Sequence, residues 1–276
     1  MNQDISIAFI GGGNMAAALI SGLAGNLCPM SNIHVIDVNA ETREHWAAQG
    51  ASVAAGPDAR LSGCTAWVLA LKPQVLKPVM ESFQPFLRDS LVISVAAGIR
   101  ATDLAAWLGS AQAPWPRVVR SMPNLPALIG QGISGLAALP GVAAEDRALA
   151  ASVLEAVGQV VWVEQEADLD SVTALSGSGP AYVFLLIEAL IEGGMALGLS
   201  AEQARALTLQ TLAGATQLAA QSAEAPGVLR ERVTSKGGTT FAALEVMREA
   251  GLKETVIKAM QAAAHRAKEM GDAFSQ

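Results

Sequence analysis

Ile5-Ser6-Ile7-Ala8-Phe9-Ile10 is a short apolar run, and Gly11-Gly12-Gly13-Asn14-Met15-Ala16 follows it without a break. Ala17, Leu19, Ile20 and Leu23 then recur at helical spacing. The run reads as a central parallel strand. The loop has the form G-x-G-x-x-A, a weak signal alone but a strong one between a strand and a helix at the start of a chain. No other stretch narrows the fold as much, because it predicts a Rossmann-type dinucleotide-binding half. Gly11 makes the turn, Gly13 lets the backbone approach a pyrophosphate, and Ala16 keeps helix and strand close. Gly11, Gly13, Asn14 and Met15 are the candidate cofactor contacts of this loop. The plain alternative is an ordinary strand–helix turn.

Ile33 to Asp37 reads as a second strand, and Asp37 falls about 20 residues past the loop, where an acid bonds the ribose 2′-hydroxyl. A carboxylate there favours NADH. Asn39, Thr42 and Arg43 lie just beyond and are able to hold a 2′-phosphate, so NADPH and NADH both stay open. Asp37 as a simple turn residue is the alternative. Trp67 to Leu71 is a third buried strand that runs into Lys72-Pro73-Gln74. Proline stops the strand and opens the next helix. Ligands of such sheets bind beyond the carboxyl ends of strands, which makes Ala70, Lys72 and Pro73 cofactor candidates. Leu91 to Ala96 and Pro116 to Met122 supply two more strands. Asn124, held between Pro123 and Pro126, is a candidate ligand-facing amide, with an Asx-type turn as its structural alternative. Ile133 to Leu139 and Val160 to Val163 are weaker strands, with a helix over Glu145 to Val157 between them.

The alternation stops near Ala167, and helix then follows helix. We expect a fold in which an α/β N-terminal Rossmann domain, residues 1–165, precedes an all-α C-terminal dimerisation domain, residues 166–276. Ser176-Gly177-Ser178-Gly179-Pro180 reads as a flexible turn with proline at the first helical position. Tyr182 to Leu197 is apolar almost all round, which predicts burial on most sides. Ser200-Ala201-Glu202-Gln203 reads as a capping box. The helix it opens carries Ala204, Leu207, Thr211, Ala215 and Leu218 as a narrow stripe. A last helix shows Val256, Met260, Ala263, Ala267 and Met270 as a near-heptad seam. So much apolar surface in so short a block predicts a homodimer; a monomeric all-α domain is the alternative. Between these helices, hydroxyls crowd a Gly-Gly pair in Val233-Thr234-Ser235-Lys236-Gly237-Gly238-Thr239-Thr240, just before a helical pattern. Hydroxyls and free N–H groups at a helix N-terminus suit a small anion such as a carboxylate. A capped polar loop explains that stretch equally well.

Composition excludes several other functions. The 276 residues are 51% hydrophobic with a mean hydropathy of +0.36, yet no uninterrupted apolar run reaches membrane-spanning length. Glu188 and Glu192 break Ala181 to Leu199, so no membrane is expected. A net charge of −7 without a basic block, and 4% aromatic residues, leave neither the charge nor the stacking platform of a nucleic-acid binder. The start of the chain carries no cleavable apolar segment, which predicts a cytoplasmic location. Cys28 and Cys64 read as reduced thiols and form no metal cluster. His34, His45 and His265 lie in segments with no other sign of a site, so a histidine acid is not expected.

With these residues assembled, the chain closely resembles pyrroline-5-carboxylate reductases. The likeness rests on Phe9 to Ala16, Leu71 to Gln74, Arg120 to Asn124, Ser176 to Phe184 and Val233 to Thr240, in that order along nearly the whole chain. Many members have proline where this chain has Lys236. The family usually tolerates either nicotinamide cofactor and often prefers NADPH, from which Asp37 departs. The resemblance implies a cyclic imine substrate, 1-pyrroline-5-carboxylate. Its carboxylate would bind Ser235, Gly237 and the N–H groups near Gly238 and Thr239. Thr240 would hydrogen-bond the ring nitrogen while hydride goes to the imine carbon. It also implies helical domains that interlace between subunits, and larger rings of dimers. Two rivals remain at this stage. A β-hydroxyacid dehydrogenase would carry a catalytic lysine on the helix Tyr182 to Leu197, which has none; a non-catalytic dinucleotide sensor would need no hydroxyl-rich loop.

Overall fold

The computed structural model describes residues 4–275. Its elements run β1 (Ile7–Ile10), α1 (Asn14–Leu23), β2 (Ile33–Ile36), α2 (Ala40–Ala48), β3 (Ser52–Ala54), β4 (Ala66–Leu69), α3 (Pro73–Phe83), β5 (Leu91–Ser94) and α4 (Ala101–Leu108). They continue through β6 (Val118–Met122), β7 (Gly132–Ala138), α5 (Ala144–Glu155) and β8 (Gly158–Trp162). The helical part holds α6 (Asp168–Val172), α7 (Gly179–Ala196), α8 (Ala201–Gln221), α9 (Pro226–Arg232), α10 (Thr239–Glu249) and α11 (Leu252–Phe274). Two compact units emerge: Met1–Ser178 with Ala262–Gln276, and Gly179–Gln261.

In the first unit the strands form one sheet in the order β3-β2-β1-β4-β5-β6-β7-β8. The first six follow the 3-2-1-4-5-6 order of a Rossmann sheet and pair in parallel. β7 runs antiparallel to β6, with Met122 opposite Gly135, and β8 returns parallel to β7. The central strands β1, β4 and β5 are buried along their whole length because both faces are covered, whereas His34 enters β2, Arg120 and Ser121 enter β6, and β8 is half-exposed. Ile7 and Phe9 pack into one buried cluster and Ala8 and Ile10 into the other, as a period of two requires. Strand order reverses between β1 and β4, so the crevice for a ligand opens at the carboxyl ends of those strands. The sequence does not reveal β3, because a three-residue edge strand shows no period. The last part of α11 belongs to this unit. Met270 and Phe274 lie over Gly98, whose φ of +77° is a left-handed value, and Arg100 bonds to Asp272.

Ser176 to Pro180 is not the flexible turn expected from its glycines and proline. Thr173–Gly177 forms a π-helical turn between α6 and α7, with Ser178 N–H donating to Thr173 O at 2.8 Å. Pro180 has no N–H to give the carbonyl four residues back, that of Ser176. The Asn124 side-chain amide donates to that carbonyl instead, at 3.1 Å. A wider helical turn therefore absorbs the proline, and a side chain from outside the helix takes over the missing bond.

In the second unit the capping box forms as read: Ser200 Oγ accepts the Gln203 N–H at 3.2 Å and Gln203 Oε1 accepts the Ser200 N–H at 3.0 Å. α7 and α8 approach closely where Gly194 meets Ala204. The expected burial of Tyr182 to Leu197 is not met within one chain. No α7 residue is buried, and Val183, Phe184, Leu185, Leu186 and Leu190 are exposed. Among the described residues α7 packs chiefly against α8, too little to cover a helix that is apolar all round. By length and composition alone, the 29-residue helical stretch Asp168–Ala196 suffices to cross a membrane.

Candidate active site

The glycine loop shows why each of its glycines is there. Gly11 has φ +97°, and a Cβ on it would lie 2.7 Å from the Ala70 carbonyl oxygen, where the loop crosses the end of β4. A Cβ on Gly12 would lie 2.5 Å from Thr42 Cγ2. The motif reading had given that middle glycine no role. Nothing stands within 4 Å of a Cβ on Gly13, the open side from which a pyrophosphate would approach. Gly13 caps α1 without a side-chain bond, and the Ala17 N–H is the first to reach back into the helix, at 2.9 Å. The N–H groups of Asn14, Met15 and Ala16 are therefore left for an anion. Ala16 is fully buried against the sheet, as the fingerprint requires.

Asp37 follows β2 and reaches the same loop. Its Oδ2 accepts the Gly12 N–H at 2.7 Å and its Oδ1 accepts the Asn39 N–H at 2.8 Å. Asn39 caps α2, its Oδ1 accepting the Glu41 N–H at 2.9 Å. Arg43 Nη1 donates to the carbonyls of Asp37 and Val38 at 2.8 and 2.9 Å. Beside this turn a cavity of about 240 Å³ opens past Ile10 and Ile36, the last residues of β1 and β2, with Val38, Leu71, Val79 and Ser82 in its wall. Its size and apolar lining fit an adenine ring. Val79 and Ser82 sit on α3, and no local motif could have flagged them. Ala70 N–H bonds to Ile10 O at 2.9 Å, Lys72 is exposed at the cap of α3, and Pro73 takes the first helical position. Gly11, Gly13, Asn14 and Met15 thus follow the end of β1, Asp37 and Asn39 the end of β2, and Ala70, Lys72 and Pro73 the end of β4. The glycine cradle, the uncapped helix N-terminus and the cavity fit a nicotinamide dinucleotide.

The hydroxyl-rich stretch belongs to the second unit and is the start of α10. Gly238 N–H donates to Ser235 O at 3.0 Å, and Gly237 has φ +75°. These are the marks of a type II turn, with Lys236 at its second position and glycine at its third. Proline is favoured at the second position, which accounts for the residue that the family resemblance expects there. The cap residue Gly238 makes no side-chain bond, and the Ala242 N–H is the first to bond back, at 3.1 Å. Thr239, Thr240 and Phe241 therefore present free N–H groups. Ser235, Gly237, Thr239 and Thr240 are exposed, and Ser235 Oγ lies 2.6 Å from where a Gly238 Cβ would sit. This constellation can bind a carboxylate through N–H groups and hydroxyls together.

Asn124 is placed differently from the ligand-facing amide read from the sequence. It is buried, and both ends of its amide serve the backbone: Nδ2 the Ser176 carbonyl, and Oδ1 the Ile133 N–H at 3.0 Å. His34 is buried on β2, with Nδ1 3.0 Å from Ser52 Oγ and Nε2 3.2 Å from Asp58. Burial holds its pKa below the ordinary value, with Asp58 pulling upward less strongly. Cys28 and Cys64 are buried, and burial pushes both thiols up, so they are poor nucleophiles. A larger cavity of about 540 Å³ has Arg100, Arg120, Glu166, Asp170, His265 and Lys268 in its wall. Its buried Arg120 pairs with Glu166 at 3.1 Å, and Glu166 also accepts the Ala101 N–H at 2.7 Å. Burial pushes Asp170 up, against the pull of Arg120 and Arg100. The charges in this cavity largely pair with one another, and it lacks both the glycine cradle and the free N–H groups.

Residues 166–270 match the family model described as pyrroline-5-carboxylate reductase dimerisation, and residues 6–98 match one described as NADP oxidoreductase, coenzyme F420-dependent. The chain is 45% identical to the pyrroline-5-carboxylate reductase of Pseudomonas aeruginosa over 272 residues, covering 98% of each. Its structure is similar to that of a pyrroline-5-carboxylate reductase from Coxiella burnetii, with TM-score 0.88 and 39% identity over 97% of this chain and 99% of that one. It is also similar to the Plasmodium falciparum pyrroline carboxylate reductase with NADP bound, with TM-score 0.86 and 29% identity over 98% and 100% of the two chains. An N-terminal Rossmann unit with a phosphate-accepting loop, joined to a helical half that matches the dimerisation model, places this chain in the pyrroline-5-carboxylate reductase family.

Proposed function

We propose that this chain reduces 1-pyrroline-5-carboxylate to L-proline, with NADH or NADPH as the reductant. The observation that carries the reading is the uncapped start of α10, with its exposed hydroxyls and free N–H groups, in a chain that also carries the glycine cradle. The bound dinucleotide supplies a hydride to the imine carbon. Ser235 Oγ and the N–H groups of Thr239 and its neighbours hold the substrate carboxylate, aided by the positive end of the α10 dipole. Gly237 and Gly238 shape the turn that exposes those groups. Thr240 bonds the ring nitrogen and fixes which face of the imine is presented. The ring nitrogen gains a proton as the carbon gains hydride, and a hydroxyl or water is acid enough for that basic atom. Much of the acceleration is therefore orientation, with the reacting carbons held roughly 3–3.5 Å apart. Asn124 takes a positioning role, tying the segment after β6 to the π-turn.

We place the start of the dimerisation half between residues 165 and 166, supported by the end of strand–helix alternation there and by the matched family model that begins at 166, whereas the compact units divide after Ser178 and the last part of α11 belongs to the first of them. The exposed apolar face of α7 supports a homodimer in which the helical halves cover each other, and the family resemblance supports rings of such dimers. A cytoplasmic location fits two buried thiols that form no disulfide. The test is the loss of reduced-nicotinamide absorbance on adding 1-pyrroline-5-carboxylate, with a 3-hydroxy acid and the oxidised dinucleotide as the control. Turnover of the hydroxy acid and none of the imine would refute the assignment.

A further inference from the structure

NADPH differs from NADH by one phosphate on the adenosine 2′-oxygen. Recognising that phosphate takes free N–H donors, or an unengaged cation, where the second strand of the sheet ends. In this chain the backbone donors at that place are already taken. Gly12 N–H goes to Asp37 Oδ2 at 2.7 Å, Asn39 N–H to Asp37 Oδ1 at 2.8 Å, and Glu41 N–H to Asn39 Oδ1 at 2.9 Å. The nearby cation, Arg43, is tied through Nη1 to the carbonyls of Asp37 and Val38.

We propose that Asp37 makes this chain selective for NADH, because its carboxylate fills from within the cluster of N–H donors that a 2′-phosphate would need. This rests on the reductase reading above and deepens it. A carboxylate has about four lone-pair sites, and two are used here. The others accept the ribose hydroxyls of NADH, whereas a 2′-phosphate brings only acceptors and a like charge. Asp37 also explains the middle glycine: the Gly12 N–H can reach the carboxylate only while the loop lies flat against Thr42, where no Cβ fits. Asp37 is thus a specificity residue that also sets the shape of the phosphate loop. Arg43 is held beside this turn by the Asp37 and Val38 carbonyls, which a serine at 37 keeps, and its Nε and Nη2 have no other partner among the described residues, so with the Asp37 carboxylate and its like charge gone Arg43 is the cation that a 2′-phosphate meets.

The experiment compares kcat/KM for NADH and NADPH with saturating 1-pyrroline-5-carboxylate in the wild type, Asp37→Ser, Asp37→Asn and Asp37→Ser/Arg43→Gln. We expect the wild type to favour NADH by about tenfold or more, and Asp37→Ser to move the ratio roughly 30- to 100-fold toward NADPH, the scale of relieving one like-charge contact. The double variant should lose most of that gain. A purely structural role for Asp37 would lower both cofactors alike and leave the ratio in place. Calorimetric titration with 2′,5′-ADP against 5′-ADP reads the same preference without turnover, and it serves even where a variant folds poorly, because the wild type alone must prefer 5′-ADP. A wild type that favours NADPH or 2′,5′-ADP, or a ratio unmoved in both single variants, overturns the proposal. Oxidation of neither cofactor with the imine would instead sink the reductase reading, leaving the nucleotide titrations to judge Asp37.

Discussion

Asn124→Ala should destabilise the protein without removing any group from the proposed ligand sites. Asn124 donates to the Ser176 carbonyl at 3.1 Å and accepts the Ile133 N–H at 3.0 Å, and it is 8% exposed. Alanine leaves both backbone groups unpaired, and Pro180 cannot supply the missing donor. Each such group costs about 1–3 kcal/mol when buried; these are partly buried, so we expect roughly 2–4 kcal/mol in all. With a urea slope of about 3 kcal/mol/M, that is a midpoint lower by roughly 1 M. The cause is isolated by adding Pro180→Ala, which gives residue 180 an N–H that can reach Ser176. In the Asn124→Ala background that change should recover about 1 kcal/mol or more, whereas in the wild type it should do little, so the cycle is non-additive. The assay is urea unfolding of the four proteins at one fixed protein concentration, as an associating chain requires. Strict additivity, or an unchanged midpoint for Asn124→Ala, would refute the account of the π-turn. A large rise in KM at unchanged stability would return Asn124 to the substrate.

Thr240→Val keeps the branched shape at the start of α10 and removes only the hydroxyl, so kcat should fall about 10- to 150-fold while dinucleotide affinity holds. Ser235→Ala should act mainly on KM, because the carboxylate it holds keeps its charge through the reaction; steady-state kinetics with saturating cofactor separates the two effects. Gly11→Ala puts a Cβ 2.7 Å from the Ala70 carbonyl at φ +97°, and dinucleotide binding, read by fluorescence titration, should be lost or nearly so. The folded state holds His34 below its ordinary pKa, so the unfolded chain takes up more protons in acid. Stability should be full above about pH 6.5 and decline as the pH falls through that value, and His34→Gln should flatten the decline in urea midpoint.

The N-terminal fold was legible because its signals are local. A strand, three glycines and a helix in succession can satisfy few backbone geometries, and the buried strands carry near-continuous apolar runs. The capping box Ser200–Gln203 was legible for the same reason: both its bonds close within one helical turn. Ser176 to Pro180 misled because glycine and proline are punctuation only when no distant group replaces the bond that proline removes. Here Asn124, 52 residues earlier, replaces it. The same distance hid the true work of the Asn124 amide. The sequence read α7 correctly as a helix that is apolar almost all round, but not its burial, since within one chain no α7 residue is buried; periodicity reports that apolar surface needs a partner, not which chain supplies it. Asp37 shows the division at a single residue. The sequence placed an acid at the end of β2 and left NADH and NADPH open. Only the folded backbone brings the Gly12 and Asn39 N–H groups onto the two carboxylate oxygens, the arrangement on which the proposed NADH preference rests. Hydrogen-bond occupancy depends on where distant segments meet, and no local pattern of residues encodes it.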